Sequence, residues 1–349
     1  MSTATGIYHT TYEADLSLRR TRADWIRLTL IAVVVVAAPF VLSPFWLTVA
    51  NQIGIAIIGA VGLNILTGHT GLISLGHGAF LGVGAYTSAI LVSRFDVPTL
   101  IAIVVAVAVT TVIGTFFGLP SLRLKGLYLA MATLAAQFIL LYAFRNWDVV
   151  TGGTEAIVVP YPEIFGWMLR SDFAWYWVIF GVAILVVLGA RNLFRSGIGR
   201  AFHAIRDQDI AAAVMGIDVG RYKLLSFAIS SALVGLAGAM TAHYRTIVTW
   251  ERFTLDVSVL YLAMIIVGGL GSVAGSVYGA TFMTVVPAAI QQFARNVRET
   301  IPTLAREMPA IQLIVFGAVI VLFLLFEPRG LDRTWQRIKD YFRLWPFRY

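Results

Sequence analysis

Long apolar segments without charge alternate with short polar segments along most of this chain. A helix that crosses the hydrocarbon core of a bilayer needs about 20 apolar residues. Segments of roughly that length contain no Asp, Glu, Lys or Arg, and they are Leu28–Leu47, Val49–Leu66, Leu72–Leu91, Thr99–Leu119, Gly126–Phe144, Phe173–Ala190, Leu224–Ala242, Val257–Val273, Gly275–Phe293 and Pro309–Phe326. The pattern predicts an all-α fold, a polytopic transmembrane helical bundle of about ten spans.

Two pairs of these spans are joined through glycine-rich segments. Val49–Leu91 and Val257–Phe293 each contain an apolar run, a glycine break and a second apolar run. In membrane proteins with internal repeats, paired broken helices surround a central site. Glycines in a G-x-x-x-G spacing instead let helices pack closely, and the candidates for such packing are Gly78, Gly82, Gly271, Gly275 and Gly279. The sequence leaves both interpretations open, a solute path and close packing.

The basic residues indicate how the chain is oriented in the membrane. If the N-terminus is cytoplasmic and every span crosses, most of the 26 Lys and Arg residues fall on the cytoplasmic side, as the positive-inside rule requires. This orientation predicts a cytoplasmic N-terminal tail at 1–27 and a transmembrane domain at 28–326 with a long cytoplasmic loop at 191–223. It also predicts a basic C-terminal tail at 327–349, so that both termini are cytoplasmic.

The composition agrees with a membrane protein and excludes several other classes. Hydrophobic residues make up 59% of the chain and charged residues 13%, against about 25% charged residues in a soluble domain. The net charge of +8 follows from the positive-inside bias, so no nucleic-acid partner is predicted. The chain has no cysteine, which excludes disulfides, thiol catalysis and thiolate metal sites.

The chain contains no recognisable motif for catalysis. It has no nucleophile beside an acid–base partner and no cluster of metal ligands, so no catalytic residue and no metal site are expected. It lacks a G-x-x-x-x-G-K-[ST] sequence, and we do not expect it to hydrolyse ATP through a P-loop. Proton-coupled carriers usually place acidic residues or Lys within their spans, and the predicted spans hold none. Any transport would then draw its energy from another protein.

The long loop contains a candidate amphipathic helix at Ala201–Met215, which Gly216 would end. The residues expected on its apolar face are Phe202, Ile205 and either Ala213 or Val214. Those expected on its polar face are Arg206, Asp207 and Asp209. Such a helix could dock a soluble partner, or it could lie on lipid headgroups through its arginines.

Four blocks, in this order along the chain, resemble one protein family. They are GLNILTGHTGLISLGHGAFLGVGAYTSAIL at 62–91, GLYLAMATLAAQFIL at 126–140, GRAFHAIRDQDIAAAVMGIDVGRYKLLSFAISSALVGLAGAM at 199–240 and IIVGGLGSVAGSVYGA at 265–280. The third block is similar to the coupling region of binding-protein-dependent ABC importer permeases. Together the blocks resemble the permeases of high-affinity branched-chain amino-acid ABC importers, the LivM type, from about Ala50 to Leu331.

The resemblance implies a permease subunit that translocates Leu, Ile and Val across a bacterial inner (plasma) membrane. It also implies a second related permease subunit, two ATP-binding subunits that consume the ATP, and a periplasmic or surface substrate-binding protein. The chain itself would then need no cofactor. The helix that couples to the ATPase would map onto Ala201–Gly216, and its residues would include Ala201, Phe202, Ile205, Arg206, Asp209, Ala212 and Gly216.

The polar side chains of the first glycine-rich stretch are candidates for hydrogen bonds to a passing amino acid. They are Asn64, His69, Ser74, His77 and Tyr86, joined by Thr133 and Gln137 from a later span. For each, the alternative is a hydrogen bond between helices, worth about 0.6 kcal/mol on average in a membrane protein. That alternative is favoured for Thr133 and Gln137.

Other functions remain alternatives at the level of the sequence. Similar permeases carry urea or short amides. A self-sufficient channel or a sodium-coupled carrier would move solute without ATP, because backbone carbonyls and hydroxyls can bind sodium. A membrane scaffold would use the glycine breaks for packing only.

Overall fold

A computed structural model describes residues 22–164, 167–297, 302–327 and 330–344. The two predicted tails fall only partly within these ranges, because residues 1–21 and 345–349 lie outside them. Contacts between residues divide the chain into two units, 1–47 and 48–349.

The described part of the first unit is one helix and the start of the next. Helix α1 covers Arg22–Val41 and α2 begins at Pro44, so the prediction of one continuous span over Leu28–Leu47 is wrong. Proline suits the first position of a helix, whereas the residue before a proline avoids helical backbone. The Leu47 amide donates to the Ser43 carbonyl at 2.9 Å, which starts the new helix.

The second unit is mainly helical in its described residues. From α2 onward the helices are α2 Pro44–Leu63, α3 His77–Phe95, α4 Thr99–Gly118, α5 Leu127–Asn146, α6 Asp148–Thr151, α7 Asp172–Arg195, α8 Gly197–Asp207, α9 Asp209–Val214, α10 Val219–Arg245, α11 Leu255–Gly268, α12 Val273–Val297, α13 Pro302–Phe326 and α14 Gly330–Leu344. A π-helix continues α2 at Asn64–His69, and 3-10 helices lie at Leu119–Leu122 and Trp250–Phe253.

Among the described residues, four two-residue strands form two antiparallel pairs. Strand β1, Ile157–Val158, pairs with β4, Ile247–Val248, so that the connection after α6 is tied to the end of α10. Strand β2, Glu163–Ile164, pairs with β3, Trp167–Met168. The strands shape a connection between helices and add no layer to the bundle.

Seven helical segments among the described residues are long and apolar enough to cross a membrane. They are Pro44–His69, His77–Phe95, Thr99–Leu122, Leu127–Asn146, Asp172–Arg195, Val219–Arg245 and Val273–Arg295. The chain is therefore an all-α, multi-pass membrane protein, but the predicted number of about ten spans is not confirmed. Helix α11 has only 14 residues, fewer than the roughly 20 that a crossing needs.

Helix α10 packs against α3 and α4 through small residues. A Cβ atom added at Gly84 would overlap the backbone of Gly235, and one added at Gly238 would overlap the carbonyl of Leu81. In a bilayer, small residues allow helix backbones to approach this closely, and van der Waals contact then stabilises the pair. This packing holds α3, the helix that follows the first glycine break.

The predicted packing glycines differ in their surroundings. A Cβ atom at Gly78 would lie 2.8 Å from the carbonyl oxygen of Thr254, and one at Gly82 would press on the ring of Phe144. Gly271 lies at no helix crossing. It occupies the turn between α11 and α12 with a φ of +79°, a left-handed conformation that glycine adopts without strain.

Gly275 and Gly279 bring α11 and α12 together. A Cβ atom at Gly275 would lie 2.7 Å from the Gly268 carbonyl oxygen, and one at Gly279 would overlap the carbonyl of Met264. We expect Gly279→Ala to cost about 1–3 kcal/mol through overpacking and to lower the apparent melting temperature of the purified protein. Gly181→Ala is the matched control, since no atom would lie within 4 Å of its Cβ. Equal melting temperatures for the two variants would contradict this account of the crossing.

Candidate functional site

The two glycine breaks meet at one end of the bundle, where the surface helices α8 and α9 also lie. The first break begins with the π-helix Asn64–His69 and continues without helix to Gly76, so that α3 starts at His77 and not at the predicted Leu72. The second break is the short turn between Gly268, where α11 ends, and the start of α12. Asn64 and Arg206 connect these parts.

Asn64 joins the first break to the second. Its side-chain amide donates to the carbonyl of Ser272 and to the hydroxyl of Ser276, both at 2.7 Å. Its side-chain oxygen accepts from the amide of Gly271 at 2.9 Å. Asn64 is buried, so these bonds use most of the hydrogen-bonding capacity of the carboxamide. The structure therefore gives this predicted pathway residue the role of a clamp between the breaks.

Loss of the Asn64 clamp should destabilise the protein. Asn64→Leu keeps a similar volume but removes the three hydrogen bonds to Ser272, Ser276 and Gly271, and each such bond contributes about 0.5–1.5 kcal/mol. We expect a melting temperature several degrees lower in detergent. Asn146→Leu is the control, because Asn146 is exposed and bonds only the Tyr142 carbonyl of its own helix. An unchanged melting temperature for Asn64→Leu would show that the clamp contributes nothing.

Arg206 of α8 contacts both breaks. Its Nη1 donates a hydrogen bond to the carbonyl of Gly68. A Cβ atom at Gly71 would lie 3.3 Å from the Arg206 Cγ, and a Cβ at Gly271 would press on the guanidinium. The rest of the side chain stays exposed at the surface. A displacement of α8 would thus reach both breaks through one side chain.

The predicted helix Ala201–Met215 is two helices in the structure. Helix α8 ends at Asp207 and α9 begins at Asp209, with Gln208 between them in extended backbone at φ −160° and ψ 103°. The continuous helix was therefore a wrong prediction. Asp side chains compete for backbone hydrogen bonds and disfavour a helix interior, but they are favourable in the first turn of a helix, as Asp209 is here. Gly216 follows α9 at φ +82°.

Of the apolar face predicted for this segment, Phe202 and Ile205 are buried against the protein, but both candidates for its third position, Ala213 and Val214, are exposed. Ala201 and Ala212 are also buried. The larger apolar side chains at the α9 end of the segment are exposed. They are Ile210, Val214 and Met215, with exposed fractions of 69%, 83% and 82%. We call these three residues the outer face of α9.

Charged contacts hold the start of α9 in place. The Asp209 carboxylate lies 2.6 Å from the Lys125 ammonium and 3.5 Å from that of the buried Lys223. The hydrogen bond from Lys125 keeps the pKa of the Asp209 carboxyl below its ordinary value of 3.8. A lowered carboxyl pKa contributes stability at every pH above the ordinary value, and the contribution is lost as the pH falls through the lowered pKa. The contact is therefore intact at physiological pH.

His69, a predicted pathway residue, lies beside the surface helices. Its ring stacks on Phe194 with centroids 3.4 Å apart, and its Nδ1 lies 3.3 Å from Nε2 of His203 in α8. Burial, and then the nearby Arg206, lower the pKa of His203. A neutral imidazole can act as donor at one nitrogen and acceptor at the other, as this contact needs.

Two polar residues of α5 support the backbone where α3 begins. The Thr133 hydroxyl accepts from the Leu75 amide at 2.9 Å, and the Gln137 side-chain oxygen accepts from the Ala79 amide at 2.8 Å. Gln137 also donates to the Phe253 carbonyl. The first amides of a helix have no partner within it, so these contacts stabilise a helix start among other helices.

Ser258 completes this support, and the sequence did not single it out. Its hydroxyl accepts from the Gly78 amide at 2.7 Å and donates to Gln137 at 3.1 Å. Ser276, which Asn64 contacts, was missed in the same way. Each is one hydroxyl in an apolar span, and only the fold reveals its partner. Ser74, a predicted pathway residue, is buried, and its hydroxyl accepts weakly from the Gly76 amide at 3.4 Å.

Three predicted pathway residues keep a buried polar atom without a hydrogen-bond partner among the described residues. These atoms are Nε2 of His69, Nε2 of His77 and the hydroxyl of Tyr86. His77 lies against Tyr261, with centroids 4.7 Å apart, and Tyr86 stacks on Phe144 at 4.8 Å. Buried polar atoms usually find partners, so these three could bond a transient ligand. Of the seven predicted residues, Asn64 and His69 therefore lie in the first glycine break. Ser74, His77, Thr133 and Gln137 lie around the start of α3, and Tyr86 lies further along that helix in an aromatic contact.

The described residues contain no group of three His, Asp or Glu side chains that could hold a metal ion. The arrangement instead combines hinge-like breaks in two helix pairs, a side chain that joins them and a surface helix in contact with both.

Comparison with known proteins relates the chain to one family. Residues 45–324 match the family described as the permease component of branched-chain amino acid transport systems. The chain is 31% identical to the high-affinity branched-chain amino acid transport system permease protein LivM of Salmonella typhimurium, over 87% of this chain and 74% of that protein. For LivM of Escherichia coli the identity is 30% over the same shares. The E. coli permease protein LivH of the same named system is 22% identical, over 78% of this chain and 89% of LivH. No solved structure matches the chain.

Proposed function

Because the chain belongs to the family of permease components of branched-chain amino acid transport systems, we propose that it forms part of the path by which an ABC importer carries Leu, Ile and Val. One observation supports a coupled importer over a self-sufficient channel. The surface helix α8 contacts both glycine breaks on its inner side through Arg206, and the adjoining α9 exposes an apolar outer face.

The outer face of α9 is proposed as the docking site of an ATP-binding subunit. Ile210, Val214 and Met215 are largely exposed, and burying such side chains against a partner would stabilise the complex. Two ATP-binding subunits would then supply the energy. The α8–α9 end of the bundle would face the cytoplasm of a bacterial cell, with both termini on that side of the inner membrane. The arginines of the loop at 191–223 support the cytoplasmic position of that end.

A second, related permease is proposed to complete the path. Escherichia coli has both a LivM and a LivH permease protein for high-affinity branched-chain amino acid transport, and this chain is similar to each. A periplasmic or surface binding protein would deliver the amino acid to the opposite end of the bundle.

The proposed mechanism follows from the contacts at the breaks. Movement of the ATPase subunits would displace α8, Arg206 would transmit the displacement to Gly68 and Gly271, and Asn64 would keep the two breaks moving together. The polar atoms of His69, His77 and Tyr86 would bond the amino and carboxylate groups of the passing substrate. Hydrogen bonds of this kind are strongest where water is excluded.

Gentle purification of the tagged chain from its native host, followed by mass spectrometry, tests the proposed assembly. We expect a second permease and P-loop ATPase subunits in the purified material. The bound substrate of the co-purified or genetically linked binding protein would then identify the amino acids. A stable, monodisperse chain without partners would contradict the importer.

A further inference from the structure

Helix α14, Gly330–Leu344, is amphipathic and follows directly on α13. Helix α13 ends at Phe326, and α14 begins four positions later. The described apolar side chains of α13 that are exposed include Ile314, Val321 and Leu325, as expected of a lipid-facing helix. If α13 crosses the bilayer, α14 must therefore begin at the bilayer surface.

The two sides of α14 differ in chemistry. Trp335, Ile338 and Tyr341 are spaced three residues apart, so they lie on one side of the helix, and each is about half exposed. The charged residues of the helix are Asp332, Arg333, Arg337, Lys339, Asp340 and Arg343, which leaves an excess of positive charge. A helix with aromatic and aliphatic residues on one side and basic residues on the other lies at the surface of a membrane.

The first turns of α14 are fixed to the rest of the protein. Leu331 packs against the core, and a Cβ atom at Gly330 would come within about 2.5 Å of the Gly269 backbone in the second glycine break. Arg337 pairs with Glu327 at 2.8 Å, and the Thr334 hydroxyl donates to the same carboxylate at 2.7 Å. The orientation of α14 is therefore set from its beginning, and its exposed apolar side is set with it.

We propose that α14 lies in the headgroup layer and binds anionic phospholipids through Lys339, which flanks Trp335 on the helix surface, with Trp335 and Ile338 inserted between the acyl chains. The Lys339 side chain is exposed, whereas Arg337 is engaged by Glu327. Each basic residue near an anionic surface strengthens membrane binding by about 1 kcal/mol, or roughly fivefold. Because α14 begins beside the second glycine break, the position of this helix in the lipid would affect the site described above.

Spin labels on the otherwise intact chain test this proposal without any partner subunit. The natural sequence has no cysteine, so Ile338→Cys and Asp340→Cys each provide one labelling site, and the two positions lie about 200° apart around the helix. Each labelled chain is placed in vesicles of phosphatidylcholine alone and in vesicles with phosphatidylglycerol. Collision with oxygen, which concentrates in lipid, is compared with collision with a water-soluble nickel complex.

With phosphatidylglycerol, we expect a several-fold higher oxygen-to-nickel ratio at position 338 than at position 340. In the same vesicles, Lys339→Gln should weaken the association of α14 with the lipid about fivefold and lower this contrast, whereas Arg333→Gln, on the side of Asp340, should change it much less. The proposal would be overturned if the label at position 338 collides freely with the nickel complex in every lipid. It would also be overturned if that label is immersed as deeply in vesicles of phosphatidylcholine alone as in vesicles with phosphatidylglycerol. Protection of position 338 only after an ATP-binding subunit is added would also overturn it, and would assign the surface to that subunit. None of these outcomes depends on whether the chain imports amino acids.

Discussion

Arg206→Ala should reduce ATP-driven uptake at least tenfold while the ATP-binding subunits still bind. The substitution removes the hydrogen bond to the Gly68 carbonyl and the contact with Gly271. It leaves the outer face of α9 and the Asp209–Lys125 contact in place. The ATP-binding subunits should therefore still dock while transport is lost, because they would move α8 without moving the breaks.

Two variants make this expectation specific. Arg200→Ala removes an exposed arginine from the same helix, where it makes only a long contact of 3.5 Å to the Arg195 carbonyl, and uptake should stay normal. Arg206→Lys keeps the charge but replaces the rigid guanidinium by a flexible ammonium, so uptake should be intermediate. Uptake and co-purification are measured on the same membranes. Normal uptake by Arg206→Ala would show that the breaks move without this side chain.

Val214→Asp should remove most of the ATP-binding subunits from the purified permease. The Val214 side chain is 83% exposed, so the substitution leaves the fold of the free chain unchanged. A carboxylate in an apolar interface must lose its hydration without gaining a partner. Central interface residues contribute about 2 kcal/mol or more, which corresponds to binding that is roughly 30-fold weaker.

Val149→Asp is the matched control for Val214→Asp. Val149 is 82% exposed and follows the end of α5, whereas the Lys125 that contacts Asp209 precedes the start of that helix. A 20-residue helix is about 30 Å long, so the two substitutions test opposite ends of the bundle. Subunit binding should be normal in the control. Full binding by Val214→Asp would place the docking surface elsewhere.

Most of the long helices could be predicted from the absence of charge. The predicted span Thr99–Leu119 and helix α4, Thr99–Gly118, differ by one residue, because hydrocarbon tolerates few charged side chains and polar ends therefore mark the span. The number of spans was less predictable. An apolar segment such as Val257–Val273 has the composition of a span, but glycines at its end stop α11 after 14 residues.

The candidate site could be predicted only in outline. Its glycines, its histidines and the surface helix were recognisable in the sequence, but the partners of Asn64 lie more than 200 positions away. The helical period identified Phe202 and Ile205 as one apolar face. It did not tell whether that face is turned towards the bundle or towards a partner, since both are apolar surroundings. Only the packing of α8 against the protein decides this.

Transport by purified components in sealed vesicles tests the central claim most directly. The chain is reconstituted alone, and then with the second permease, the ATP-binding subunits and the binding protein, and uptake of labelled leucine is followed with and without ATP. The account predicts accumulation only with the full set and ATP. Leucine flux through the chain alone, without ATP, would contradict it and would show a self-sufficient channel or carrier.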